Sequence, residues 1–297
     1  MKSSTLMPPS TINHQSSPLP SWQIRDRQFI WQQRTYIMGV LNVTPDSFSD
    51  GGQFTSPEAA LSQVEKMYPY IDILDIGGES TRPQALPVSA AEELDRILPI
   101  IEAIRQNYPD LPISVDTVKS SVAKAAIAAG ADIINDVSAG RFDSDMLLLA
   151  GYLQIPVILM HMQGEPRTMQ RNPQYYDVVR QVKQFLIDAI SIAKACGVPA
   201  HLIAIDPGIG FGKTLDHNLE IIRNIAAFKD IKAPILMGVS RKSFIGTICD
   251  RPDPRDRLYG TIAACSACIA GGANILRVHD PQAVADACKI SDAIYRQ

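Results

Sequence analysis

A single closed (β/α)8 barrel, the TIM barrel of the α/β class, is the fold this sequence predicts, and three observations predict it. Short apolar runs alternate with amphipathic or Ala-rich stretches from Thr35 onward. About eight such runs occur, each long enough for a strand buried on both faces. Polar residues close nearly every run, as expected where a barrel builds its site at the C-terminal ends of its strands. The alternation implies parallel strands joined by right-handed crossovers. A doubly wound open sheet has the same alternation, and periodicity alone does not distinguish the two.

Residues 1–21 are rich in Ser, Thr and Pro and carry little charge, so a disordered tail is expected there. They hold no apolar core of a signal peptide, and no arginine of the kind a transit peptide uses precedes Arg25. Residues 22–297 are assigned to the barrel. Its first segment, "IRDRQFIWQQRTYI", reads as two extended pieces around a turn, a hairpin suited to plugging the N-terminal face. The strand runs follow as YIMGVL (36–41), IDILDI (71–76), PISVD (112–116), DIINDV (132–137), PVILMH (156–161), LIAID (202–206), PILMGV (234–239) and NILRVH (274–279). Helix starts lie between them. Ser56-Pro57 and Asp280-Pro281 each read as an N-cap followed by Pro, and Ser89 with Glu92 as a capping box.

Composition narrows the function. Lys plus Arg is 28 and Asp plus Glu 31, a formal net charge of −3, which argues against nucleic acid or an anionic membrane as the main partner. No apolar run reaches the roughly 18 residues of a membrane span. The 5 cysteines do not suggest a disulfide framework, and a reduced, cytoplasmic protein is expected. Cys265 and Cys268 form a C-x-x-C, but they fall on one face of an Ala-rich helical stretch and read as small core residues.

"IDPGIGFGKT" (205–214) resembles a phosphate-cradling loop until Pro207 is noticed where that loop needs its first glycine. Proline has no N–H to offer, so the stretch reads instead as a strand delivering Asp206 to a pocket. The other strand ends supply Asn42, Asp75, Asp116, Asn135, Met160-His161, and Arg277 with His279; Arg241, Lys242 and Ser243 follow the seventh run. An Asp or Asn at a strand end often caps the next helix, and Asp280 is expected to do only that. Six or more polar strand ends exceed what capping explains. Asp116, Asn135 and Asp206 offer the carboxylate and amide groups that read the edge of a flat heterocycle, with Met160 and Phe211 available to pack on its faces. Paired carboxylates also admit a glycosidase or other acid–base reading. Arg277, His279 and Asn42 suit an anion and a hard cation.

The blocks "GVLNVTPDSFSDGG", "DIGGESTRP", "SVDT", "INDVSAG", "LMHMQGEPRTMQ", "DPGIGFGK", "GVSRKSFIG" and "RVHD" together resemble the dihydropteroate synthases, a pterin-binding family, in order and spacing across residues 35–282. The resemblance implies transfer chemistry in folate biosynthesis, in which p-aminobenzoate displaces pyrophosphate from 6-hydroxymethyl-7,8-dihydropterin pyrophosphate. It places Asp116, Asn135, Met160, Asp206, Phe211 and Lys242 around the pterin, and Asn42, Arg277 and His279 with Mg²⁺ at the pyrophosphate, Asn42 being the metal ligand. Phe48, Thr81, Arg82, Pro83 and Ser243 are implied at the p-aminobenzoate site. Asp50, Lys242, Arg277 and His279 are the catalytic group, and Asp75 has a supporting role. A dissociative displacement is implied, with Asp50 reaching the cationic centre. Similar proteins are homodimers, and the small-residue face of "GTIAACSACIAGG" would allow such packing.

Gln84, where many relatives have glycine, and Pro281 are the departures. Corrinoid methyltransferases share the Asp and Asn pterin readers but would not be expected to keep "SRKS" and "RVHD". A catalytically dead pterin-binding protein would have lost phosphate residues or loop motifs that are intact here.

Overall fold

The computed structural model describes residues 19–44, 56–80 and 87–296. The tail expected over 1–21 lies almost wholly outside them, as do Phe48, Asp50, Thr81, Arg82, Pro83 and Gln84.

Eight strands of the barrel are β3 (Tyr36–Asn42), β4 (Ile73–Gly77), β5 (Ile113–Asp116), β6 (Ile133–Asp136), β7 (Val157–Met160), β8 (Ile203–Asp206), β9 (Leu236–Met237) and β10 (Ile275–Val278). They follow a two-stranded antiparallel hairpin, β1 (Trp22–Ile24) and β2 (Arg27–Phe29). In the large sheet the order is β8-β7-β6-β5-β4-β3-β10-β9, and every neighbouring pair is parallel. Closure is supplied by a parallel bridge between Ile205 and Ile235, with the Ile205 amide donating to the Pro234 carbonyl at 2.9 Å. That bridge decides between barrel and open sheet.

Helices α1 (Pro57–Met67), α2 (Ala90–Asn107), α3 (Ser120–Ala128), α4 (Asp145–Leu153), α5 (Val178–Ala195), α6 (Leu215–Arg223), α7 (Ser243–Cys249), α8 (Leu258–Gly271) and α9 (Pro281–Tyr295) surround it. Successive strand side chains point to opposite faces. Leu74, Ile113, Ile134, Leu159, Ile205 and Leu276 therefore pack outward with the helices, while Ile73, Ile133, Ile158, Ala204, Leu236 and Ile275 fill the lower barrel. The hairpin plugs this end as expected, its Trp22 and Phe29, with the following Trp31, wholly buried against the interior residues. The plug is tied to distant chain: Trp22 Nε1 donates to the His201 carbonyl at 2.7 Å, and the Trp31 carbonyl accepts from Asn274 Nδ2 at 2.9 Å and Arg296 Nη1 at 3.2 Å.

The capping signals fare unevenly. Ser56 accepts from the Ala59 amide and Ser89 from the Glu92 amide. Glu92 turns its carboxylate to Arg96, so the box expected at α2 is half formed. A complete capping box occurs at α6, between Thr214 and His217. Asp280 departs from its expected role: its side chain makes no cap, and its carboxylate is instead forked by the Arg241 guanidinium. Cys265 and Cys268 are wholly buried on α8, where burial pushes both thiols up, and no cluster of three or more His, Cys, Asp or Glu able to hold a metal exists among the described residues.

Candidate active site

The same alternation that buries Ile73, Ile133 and Ala204 inside the barrel turns Asp75, Asn135 and Asp206, two residues further on, toward its C-terminal mouth. Arg277, two beyond Ile275, joins them from β10. Its guanidinium organises one side of the ring. Nε donates to Asp75 at 2.6 Å and Nη2 to Asp116 at 2.6 Å. Asn135, paired in register with Asp116, donates from Nδ2 to Asp75 at 3.2 Å. Asp75 is fully enclosed, which suits a support that holds Arg277 and Asn135 rather than a ligand contact. Burial pushes the Asp116 carboxyl up and the Asp75 charge adds to this, while Arg277 pulls it back. Arg277 thus sits among the carboxylates; the bonds made among the described residues use two of its five N–H groups.

The other side of the ring belongs to β8 and the turn after it. Burial raises Asp206, and the Gly208 amide, donating at 2.7 Å to Asp206 Oδ1, opposes the shift. Lys242 holds its ammonium 4.3 Å from the centre of the Phe211 ring, a cation–π contact. Burial lowers Lys242 to about 8, with the Asp206 charge resisting. Met160 and Phe211 belong to one apolar cluster with Val118, Val137, Met162 and Met169, separate from the main core. Among the described residues Asp116 and Asp206 each keep one carboxylate oxygen without a protein partner, Asp116 Oδ1 and Asp206 Oδ2. A hydrogen-bonding edge beside an apolar wall fits a flat, polar-edged ring. A cavity of about 360 Å³ opens alongside, bordered by Asp116, Val137, Lys119, Phe142 and Arg167.

Asn42 ends β3, and His279 directly follows the adjacent strand β10. The His279 ring places Nδ1 3.0 Å from Ser240 Oγ, which also accepts the His279 amide at 3.2 Å. Ser243 is exposed at the first position of α7, directly after Lys242. The turn carrying both is held by Arg241, which adopts φ 58° and grips Asp280.

His161 leaves the ring that its strand end suggested. It is one residue beyond the inward Met160, so its side chain points outward, edge-on to Phe185 of α5 at 4.8 Å. Lys213 explains the loop that resembled a phosphate cradle. Its ammonium is enclosed by the carbonyls of Gly208 at 2.8 Å and Phe211 at 3.1 Å and by His161 Nδ1 at 2.9 Å, where no phosphate enters. Sequence reasoning missed a second cluster, in which Lys119 joins Glu79 and the buried Glu93. Only the Glu79 position, inside "GGES", gave it any signal.

Residues 38–279 match the family described as Pterin binding enzyme. The dihydropteroate synthase of Synechocystis sp. is 48% identical over 280 residues, spanning 94% of this chain and 96% of its own. The chain belongs to the dihydropteroate synthases. Solved structures of this family superpose closely. One from Clostridium difficile, determined in the presence of pteroic acid, gives a TM-score of 0.85 at 42% identity and covers 91% of this chain and 100% of its own. Another, from Xanthomonas albilineans with 4-aminobenzoic acid, gives 0.83 at 42% identity over 89% and 94%.

Proposed function

We propose that this protein makes 7,8-dihydropteroate, joining p-aminobenzoate to the methylene carbon of 6-hydroxymethyl-7,8-dihydropterin pyrophosphate and releasing pyrophosphate. One observation carries the reading: Asp116 and Asp206 each present an oxygen to a mouth walled by Met160 and Phe211, with Lys242 and Arg277 interleaved.

The pterin lies against Met160 and Phe211, its amino and amide N–H groups donating to Asp206, Asp116 and Asn135. Lys242 donates to a ring acceptor. The remaining Arg277 donors, Asn42 and His279 receive the pyrophosphate, and p-aminobenzoate is assigned to Ser243, with Phe48, Thr81, Arg82 and Pro83 of the segments outside the described residues. Asn42 would offer a neutral oxygen to a magnesium ion, a donor that suits a hard cation. Magnesium would neutralise charge on the leaving group.

In the displacement the methylene C–O bond breaks early and its electron pair leaves with pyrophosphate. The pterin ring delocalises the positive charge, and the buried carboxylates together with Asp50 stabilise it. The arylamine nitrogen then forms the new C–N bond and loses its extra proton to solvent. An aniline is neutral near pH 7, so no strong base is required of the protein. A homodimer and a cytoplasmic setting complete the proposal.

Incubation with dihydropterin pyrophosphate, p-aminobenzoate and Mg²⁺ is the test. Dihydropteroate and pyrophosphate form together, and Asp206→Ala loses at least about 100-fold in kcat/KM, roughly 2.7 kcal/mol. Tight pterin binding with no product would replace the synthase by a pterin-binding protein.

A further inference from the structure

Lys213 reaches neither the mouth nor solvent, yet its ammonium holds the turn that follows Asp206 and carries Phe211. It is 3% exposed, and its Nζ contacts the Gly208 carbonyl at 2.8 Å, the Phe211 carbonyl at 3.1 Å and His161 Nδ1 at 2.9 Å, with the His161 carbonyl at 3.4 Å. The Gly208 peptide is therefore gripped from both sides, its N–H by Asp206 and its C=O by Lys213. The turn lies backbone to backbone on the exit of β7. A Cβ on Gly208 would stand 1.9 Å from the His161 carbonyl oxygen, and one on Gly212 would stand 2.4 Å from that of Gln163. The outer carbonyls of the turn have other partners, Gln170 for Gly210 and Tyr175 for Gly212. Of the two inner ones, those of Gly208 and Phe211, the first also accepts the Phe211 amide at 3.1 Å, and both are joined by Lys213. The neutral His161 ring accepts from it: burial and the neighbouring Lys213 and Arg141 charges hold that imidazole down to about 2.

We propose that Lys213, braced on His161 Nδ1 beneath the 207–212 turn, is a positioning residue that aims Asp206 and Phe211 at the pterin. The inference rests on the synthase reading above. A brace of this kind affects the pterin before p-aminobenzoate, because Ser243 stands exposed on α7 beyond a turn anchored by Arg241 on Thr261 and Asp280, and the Lys242 side chain that meets Phe211 is itself a pterin contact. A lysine that served folding alone would affect neither KM.

Lys213→Met, His161→Leu and His161→Asn are compared with the unaltered protein in steady-state assays and thermal melts. Asparagine keeps an acceptor near the position of Nδ1, whereas leucine removes it. The expected result is a rise of about tenfold or more in KM for dihydropterin pyrophosphate in Lys213→Met and His161→Leu, about 1.4 kcal/mol. KM for p-aminobenzoate stays within about twofold, and His161→Asn recovers most of the loss. A lowered melting temperature with both KM values unchanged, or an equal rise in both, overturns the proposal. If Lys213→Met does not fold, the two His161 variants decide: leucine and asparagine behaving alike overturns it. Absence of product from the unaltered protein instead removes the synthase reading. In that case dihydropterin binding to the same variants, followed by calorimetry, still reports on the brace.

Discussion

Arg277 donates to Asp116 at 2.6 Å while its Nε donates to Asp75 at the same distance, so one guanidinium spans two strands of the barrel mouth. Lysine has a single point of donation and cannot reproduce that fork. Arg277→Lys is expected to fold and to lose about 100- to 1,000-fold in kcat/KM, the scale seen when one preorganised donor is removed. Arg277→Met leaves two buried carboxylates without their cationic partner and should cost about 3–5 kcal/mol in urea unfolding. A methionine variant as stable as the parent would show that the fold does not depend on this ion pair.

Lys242 gives a pH signature. Burial lowers its ammonium to about 8, so it is charged below that pH and neutral above it. If the charge serves the reaction, kcat/KM falls as pH rises through about 8, and Lys242→Arg, which stays charged, carries the plateau to higher pH. Stability moves the other way. A lysine whose folded value lies below its unfolded one loses its contribution as pH falls through about 8, so the fold gains stability between pH 8 and 10. Profiles of rate and of urea midpoint over pH 6–10 separate the two effects.

Two glycines near Asp206 should respond oppositely. Gly208 has φ +71° and no room for a methyl, so Gly208→Ala should lose at least about 2 kcal/mol of stability. A Cβ on Gly238 meets only Asp206 Oδ2, at 4.0 Å. Gly238→Ala is expected to melt within about 2 °C of the parent, a change below about 0.5 kcal/mol. It should nonetheless bind pterin about tenfold more weakly, about 1.4 kcal/mol, because the methyl fills space beside the oxygen that reads the ring. Calorimetric titration with the pterin substrate and a thermal melt check both.

Trp31 tests the opposite end of the barrel. It is wholly buried in the N-terminal plug, and Trp31→Ala should cost about 3–5 kcal/mol. Both KM values of the protein that remains folded should be unchanged.

The strands were legible because each is an apolar run ended by a polar residue, and a period of two then dictated that Asp75, Asn135, Asp206 and Arg277 face inward. Closure was not legible, since it depends on one bridge between Ile205 and Ile235 that leaves no mark in the composition. His161 was misplaced because a strand end one residue longer reverses the face. Asp280 looked like a cap by its neighbour Pro281, but Arg241, 39 residues away in sequence, claimed its carboxylate. The Lys213 brace was equally hidden: glycines marked the turn, while the ammonium's partners are backbone carbonyls that any sequence supplies.

The hairpin plug has a consequence for how the molecule is made. Trp31 precedes the barrel in the sequence, yet its carbonyl waits for Asn274 and Arg296, made 243 and 265 residues later. Until then a nascent chain holds its largest aromatic surfaces without their lid and β3 without its neighbour β10. Such long-range closure is slow, and the half-made barrel is the species most exposed to aggregation during synthesis.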